Sequence, residues 1–101
     1  MKMVLMVYYV GIHDEVMEIL NALGVCTYTR WRDVEGRISC GSPRDGTQVW
    51  PGTNSAVMAV VDDDVAGSIL ERLDSFNRGR AEEGVDAYVL DVARVVTAGE
   101  G

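Results

Sequence analysis

A chain of 101 residues has room for one hydrophobic core and not two, and its 48% hydrophobic and 25% charged residues match a folded globular domain rather than a disordered one. The formal charge of −7, from 16 acidic and 9 basic residues, disfavours nucleic acid, whose phosphates need a dense basic surface to displace their counterions. The apolar run at residues 3–7 is far shorter than the roughly 20 residues that span a bilayer, so no membrane insertion is expected and the chain reads as soluble and cytoplasmic.

Residues 3–10 are apolar and β-branched and end at Gly11, the pattern of a strand buried on more than one side. From Asp14 the period changes. Val16, Ile19, Leu20 and Leu23 recur at helical spacing, Asp14 can cap the start, and Gly24 suits a left-handed stop. Residues 25–34 carry Thr27, Tyr28, Thr29, Trp31 and Val34 interleaved with Arg30, Arg32 and Asp33, which predicts a wetter edge strand.

Residues 35–54 contain Gly36, Gly41, Gly46, Gly52, Pro43 and Pro51, too much punctuation for regular structure, and are expected to form a long functional loop. Residues 55–61 return to the uninterrupted apolar character of the first strand. Asp62, Asp63 and Asp64 then place carboxylates where a helix start is positive, and Ala66, Ile69, Leu70, Leu73 and Phe76 trace one face of the helix, which ends near residues 77–79. Residues 85–92 read as a fourth strand, and residues 97–101 as a mobile tail.

The order βαββαβ is the split βαβ arrangement of the ferredoxin-like α+β fold, a four-stranded antiparallel sheet with two helices on one face. Its two central strands are the first and third, which are here the most continuously apolar. Successive residues along a strand point to opposite faces, so both faces of these strands are oily while the helices cover one. A homo-oligomer formed through the open sheet face follows.

Three stretches carry a family resemblance over nearly the whole chain: residues 24–37 (GVCTYTRWRDVEGR), residues 50–58 (WPGTNSAVM) and residues 84–96 (GVDAYVLDVARVV). They resemble the second strand and loop entry, the return into the third strand, and the fourth strand of the PII nitrogen-regulatory family. More narrowly, the VWPGTN return and arginine–glycine loop resemble a PII-like subgroup associated with heavy-metal efflux transporters. The resemblance implies a non-enzymatic homotrimer. It also implies a small-molecule effector in the clefts between subunits, and a regulatory loop over 35–54 that docks on a transporter or an enzyme.

The sequence departs from the nucleotide-binding members. Glu82, Glu83 and Asp86 stand before the fourth strand where those members carry basic residues, and carboxylates there repel a triphosphate. Arg78, Arg80 and Arg94 offer partial compensation. The loop holds no tyrosine for uridylylation.

Arg30, Arg32, Arg37 and Arg44 concentrate positive charge between the second strand and the loop of an otherwise acidic chain. Guanidinium forks recognise carboxylate and phosphate, and the alternative is a set of solvated edge and loop charges. Arg30, Gly36, Arg37, Arg44 and Trp50 are the expected effector contacts. Trp31 and Trp50 bracket the loop, as packing at its base or as a stacking surface.

His13, Cys26 and Cys40 have no metal-ligand spacing, so no metal, cofactor or catalytic residue is assigned. His13 is expected near the cap of the first helix and Cys26 in a strand. The second function considered, from another class, is a divalent or soft-metal-binding trimer of metal tolerance similar to the CutA family, in which Cys40 and His13 are the residues to replace.

Overall fold

The computed structural model describes residues 1–35, 54–80 and 84–98. Strand β1 (Lys2–Tyr9) runs through a 3-10 turn (Val10–Ile12) into helix α1 (His13–Ala22). Strands β2 (Thr29–Val34) and β3 (Asn54–Val61), helix α2 (Asp63–Asn77) and strand β4 (Val85–Asp91) follow. The four strands lie in the order β2-β3-β1-β4 with every neighbour antiparallel. The expected βαββαβ architecture is present, with the two most apolar strands at the centre.

Strand alternation sorts the side chains. Val4, Met6 and Tyr8 of β1 face the helices with their register partners Ala59, Val57 and Ser55 on β3. These β1 residues close a core with Val16 and Leu20 of α1 and Ala66, Ile69 and Leu73 of α2. Met3, Leu5 and Val7 point the other way. Beside them lie Val60, Met58 and Ala56 on β3, Leu90 and Tyr88 on β4, and Trp31 on β2. This second face is largely apolar, with Asp86 beside Val7 and Thr29 beside Met58 among its polar members. Tyr88 is 54%, Leu90 46% and Trp31 45% exposed, and no described helix packs against it.

The first helix ends as its sequence predicts. Gly24 has φ +80, a left-handed conformation that glycine adopts without strain. Its N–H donates to the Asn21 carbonyl (3.0 Å) and the Val25 N–H to the Leu20 carbonyl (2.9 Å), the paired bonds of a Schellman stop. Buried Val25 and Leu20 supply the accompanying apolar contact.

Several local expectations are corrected. Helix α1 starts one residue before Asp14, with Ile12 at the cap position and no side-chain cap, because the 3-10 turn runs straight into it and the His13 N–H donates to the Val10 carbonyl. Asp14 instead lies in the first turn. Strand β2 begins at Thr29 rather than residue 25: the Schellman turn takes the chain up to Val25, and pairing with β3 starts only at Thr29. Cys26 therefore precedes the strand, exposed and free.

On α2, Leu70 is 38% exposed while Ile69 and Leu73 are buried, so the apolar stripe is narrower than the spacing suggested. Asp62 caps by position only. Its carbonyl accepts the Ala66 N–H at 3.0 Å, but its carboxylate makes no capping bond. Asp63 pairs with the α-amino group of Met1 at 2.8 Å. Hydrogen bonding to that ammonium holds the Asp63 carboxyl below its ordinary range.

Candidate functional site

Antiparallel pairing puts the end of β1 beside the start of β3, and there the helix-facing layer changes from apolar to polar. Tyr8 is the register partner of Ser55, while Arg30 on β2 is the partner of Val57, two residues further along β3. The 3-10 turn brings His13, the first residue of α1, back over Tyr8. Four side chains from β1, α1, β2 and β3 meet in this way at one corner of the sheet.

Tyr8 and Ser55 are fully buried. The Tyr8 hydroxyl and His13 Nδ1 are 2.6 Å apart, and the two rings stack with centroids separated by 5.9 Å. Burial pushes the Tyr8 phenol up to about 12, so it remains protonated, and the imidazole tautomer sets which of the two groups donates. Burial, followed by the Arg30 guanidinium, pushes His13 below its ordinary value, with Asp14 opposing and Arg32 adding to the depression.

Arg30 Nη2 donates to Ser55 Oγ at 3.1 Å, and Ser55 Oγ donates to the Arg32 carbonyl at 3.2 Å. These bonds tie edge strand β2 to β3 next to the point where the chain leaves the sheet. Val34 and Asn54 are themselves register partners, so the chain leaves β2 and enters β3 at paired positions.

Of the expected effector contacts, Arg30 lies in this cluster. Gly36, Arg37, Arg44 and Trp50 lie outside the described residues, as do Cys40 and most of the predicted loop. Tyr8 and Ser55 were missed because each sits inside an apolar strand pattern. The available signal was a hydroxyl at the inward position of each central strand.

A concavity of about 320 Å³ opens between α2 and β4 and is lined by Leu73, Asp74, Asn77, Val85, Asp86 and Tyr88 among others. The Asn77 amide clamps the start of β4: Nδ2 donates to the Val85 carbonyl at 2.9 Å and Oδ1 accepts the Val85 N–H at 2.7 Å. A Cβ on Gly84 would stand 2.7 Å from Asn77 Oδ1, so the clamp requires glycine there. Burial raises the Asp86 carboxyl. Arg78 pairs with Asp74 at 3.2 Å, and Arg80 lies 4.0 Å over the Phe76 ring. The protein's own side chains thus already engage two of the arginines available to offset Glu82, Glu83 and Asp86.

Among the described residues no three His, Cys, Asp or Glu side chains converge as metal ligands, and no helix is long and apolar enough to cross a membrane. His13 is engaged with Tyr8. Nothing there brings His13 and Cys26 into one site.

No protein-family model matches the sequence, and no curated protein matches it. Solved structures do. TTHA0516 of Thermus thermophilus, described as a PII-like signaling protein, superposes with a TM-score of 0.68 at 26% identity over 90% of this chain and 84% of its own. CPII of Thiomonas intermedia K12, a nitrogen regulatory PII-like protein bound to ADP, AMP and bicarbonate, gives a TM-score of 0.66 at 21% identity over 94% of each chain. The apo form of CPII gives 0.64 at 19% identity, covering 93% of this chain and 92% of that one. The structural neighbours are PII-like signalling proteins, and the chain has their ferredoxin-like fold.

Proposed function

We propose that the chain is a non-enzymatic PII-like regulatory protein of the cytoplasm. It acts as a homotrimer assembled through the open sheet face, binds a small effector in the intersubunit clefts, and controls a transporter or enzyme through the 35–54 loop. The observation that carries this reading is the apolar face built from Met3, Leu5, Val7, Met58, Val60, Tyr88 and Leu90. Burying apolar area contributes about 25 cal/mol per Å², and a second copy presents a face of the same kind. Clefts between subunits follow from packing three sheets around one axis.

Arg30, Gly36, Arg37, Arg44 and Trp50 are the proposed effector contacts. Arg30 supports the assignment by standing at the root of the segment between Val34 and Asn54. Because CPII binds ADP, AMP and bicarbonate, these are the first effectors to test. The carboxylates of Glu82, Glu83 and Asp86 disfavour a triphosphate. A transporter as the partner agrees with the VWPGTN return at residues 49–54. No observation among the described residues favours the CutA-like metal-binding alternative.

Sedimentation velocity and calorimetric titration of the full chain test the proposal together. A trimer that binds ADP or AMP at micromolar concentration, with bicarbonate altering that affinity, is the expected result. A monomer at micromolar protein concentration, or a trimer indifferent to all three ligands, would overturn it.

A further inference from the structure

Edge strand β2 is held to the sheet on one side only, and its pairing with β3 is regular from Thr29 to Trp31 and then shifts before Val34 meets Asn54. Side chains take over where the ladder is broken. Ser55 Oγ accepts from Arg30 Nη2 at 3.1 Å and donates to the Arg32 carbonyl at 3.2 Å, so one buried hydroxyl fastens two residues of β2. Arg30 Nε is buried without a hydrogen-bond partner, which leaves the guanidinium fixed through Nη2 alone among the described residues.

The groups around this fastening are short of negative charge. From β1 comes the Tyr8 hydroxyl, 2.6 Å from His13 Nδ1, and from β3 the neutral Ser55. Strand β2 contributes two cations, Arg30 and Arg32, and Tyr28 just before it acts electrostatically on Tyr8. The carboxylate that acts on the imidazole is Asp14, in the first turn of α1 and exposed. Among the described residues α2 supplies no charged group that acts on His13.

Such a corner tolerates a neutral imidazole. A protonated His13 is a cation set against Arg30 where water screens little, and its Nδ1 can then only donate to Tyr8, whichever tautomer preceded it. Arg30 has the easier way out. His13 is fixed at the start of α1 with its ring stacked on Tyr8, whereas Arg30 is half-buried on an edge strand, and its long stem can carry the guanidinium into solvent.

We infer that this corner is a proton-operated latch on β2: protonation of His13 expels Arg30 from Ser55 and loosens the end of the strand by which the chain leaves the sheet. Burial and Arg30 hold His13 below its ordinary 6.5, so the latch is closed at neutral pH and opens as pH falls past that value. The device requires neither a trimer nor an effector.

His13 is the single histidine of the chain, so its imidazole NMR signals give its titration without ambiguity. The full chain is followed from about pH 8 to 5 by those signals, by the Arg30 Nε–H resonance and by hydrogen exchange at the β2 amides, with protection expressed relative to the amides of β1. On acidification the Arg30 resonance should move with the midpoint of the imidazole. Protection at residues 30–34 should fall about tenfold further than in β1, the loss expected for a hydrogen bond to a charged group. His13→Gln, neutral throughout, should keep that ratio constant, and Arg30→Gln should raise the His13 pKa because the opposing charge is gone.

An Arg30 resonance and β2 amides that ignore the imidazole titration overturn the inference. Protection lost equally from β1 and β2 does so too, since the loss is then global. Loosening of β2 that persists in His13→Gln assigns the effect to carboxylates and likewise overturns it. If neither variant folds, the wild-type titration decides alone. No nucleotide or bicarbonate enters these measurements, so the proposed function stands or falls separately on its own titrations.

Discussion

The two faces of the sheet have nearly the same composition and different fates. On one, Val4, Met6 and Val57 are sealed at 0% exposure under α1 and α2. On the other, Leu5, Val7 and Met58 are shielded by sheet neighbours, while Tyr88, Leu90 and Trp31 at the strands beside them stand open. What separates the faces is cover rather than hydrophobicity. Right-handed crossovers place both helices on the same side, so one face completes its burial within the subunit and the other needs a neighbour.

The largest expected effect on the folding of the subunit comes from the sealed face. Ile69→Ala leaves a cavity beneath α2 and should cost about 2–5 kcal/mol in urea unfolding. A loss below about 1 kcal/mol would mean that this layer is not the one holding the subunit together. The next substitution probes the open face. Leu5→Glu places a charge where the sheet is proposed to meet other subunits, and burying an unpaired carboxylate is costly. Sedimentation should then report a monomer that retains the far-UV spectrum of the wild type. An unchanged oligomer would locate the association surface elsewhere and erase the functional contrast between the faces.

The smallest effect belongs to the polar corner at the end of the sealed face. His13 is depressed below its ordinary value by burial and by Arg30, so the folded state binds its proton less readily than the unfolded chain. The contribution of neutral His13 is fully present above the unfolded value near 6.5, and is lost as pH falls through that value toward the lower folded one. Denaturant midpoints taken between about pH 8 and 5 should decline more steeply for the wild type than for His13→Gln. Parallel curves would show that the histidine titrates alike in both states.

The legible parts of this molecule were the local ones. Gly24 ended its helix because a left-handed residue is required there, and the ferredoxin-like order could be read from four strand-like runs and two helical ones. The caps were less legible. Asp14 and Asp62 are strong cap formers, yet a preceding 3-10 turn displaced the first and the second caps by position alone. Leu70 shows the same limit: it falls on the apolar stripe by spacing, yet it stands 38% exposed while Ile69 and Leu73 are buried.

Of the candidate site, Arg30 was identifiable as a charge on an edge strand, while its surroundings were not. Its side chain faces the helices because β2 pairs with β3 in the register that sets Arg30 opposite buried Val57. Tyr8, His13 and Ser55 join it only through the pairing of β1 with β3 and the fold-back of the 3-10 turn.

Periodicity is a property of neighbours along the chain, so the amino-acid order by itself determined the elements, their sequence and the oiliness of both sheet faces. Which polar groups share a corner, and which donor there is left idle, depends on register between segments distant in sequence. Strand pairing sets that register, and only the tertiary structure decides it.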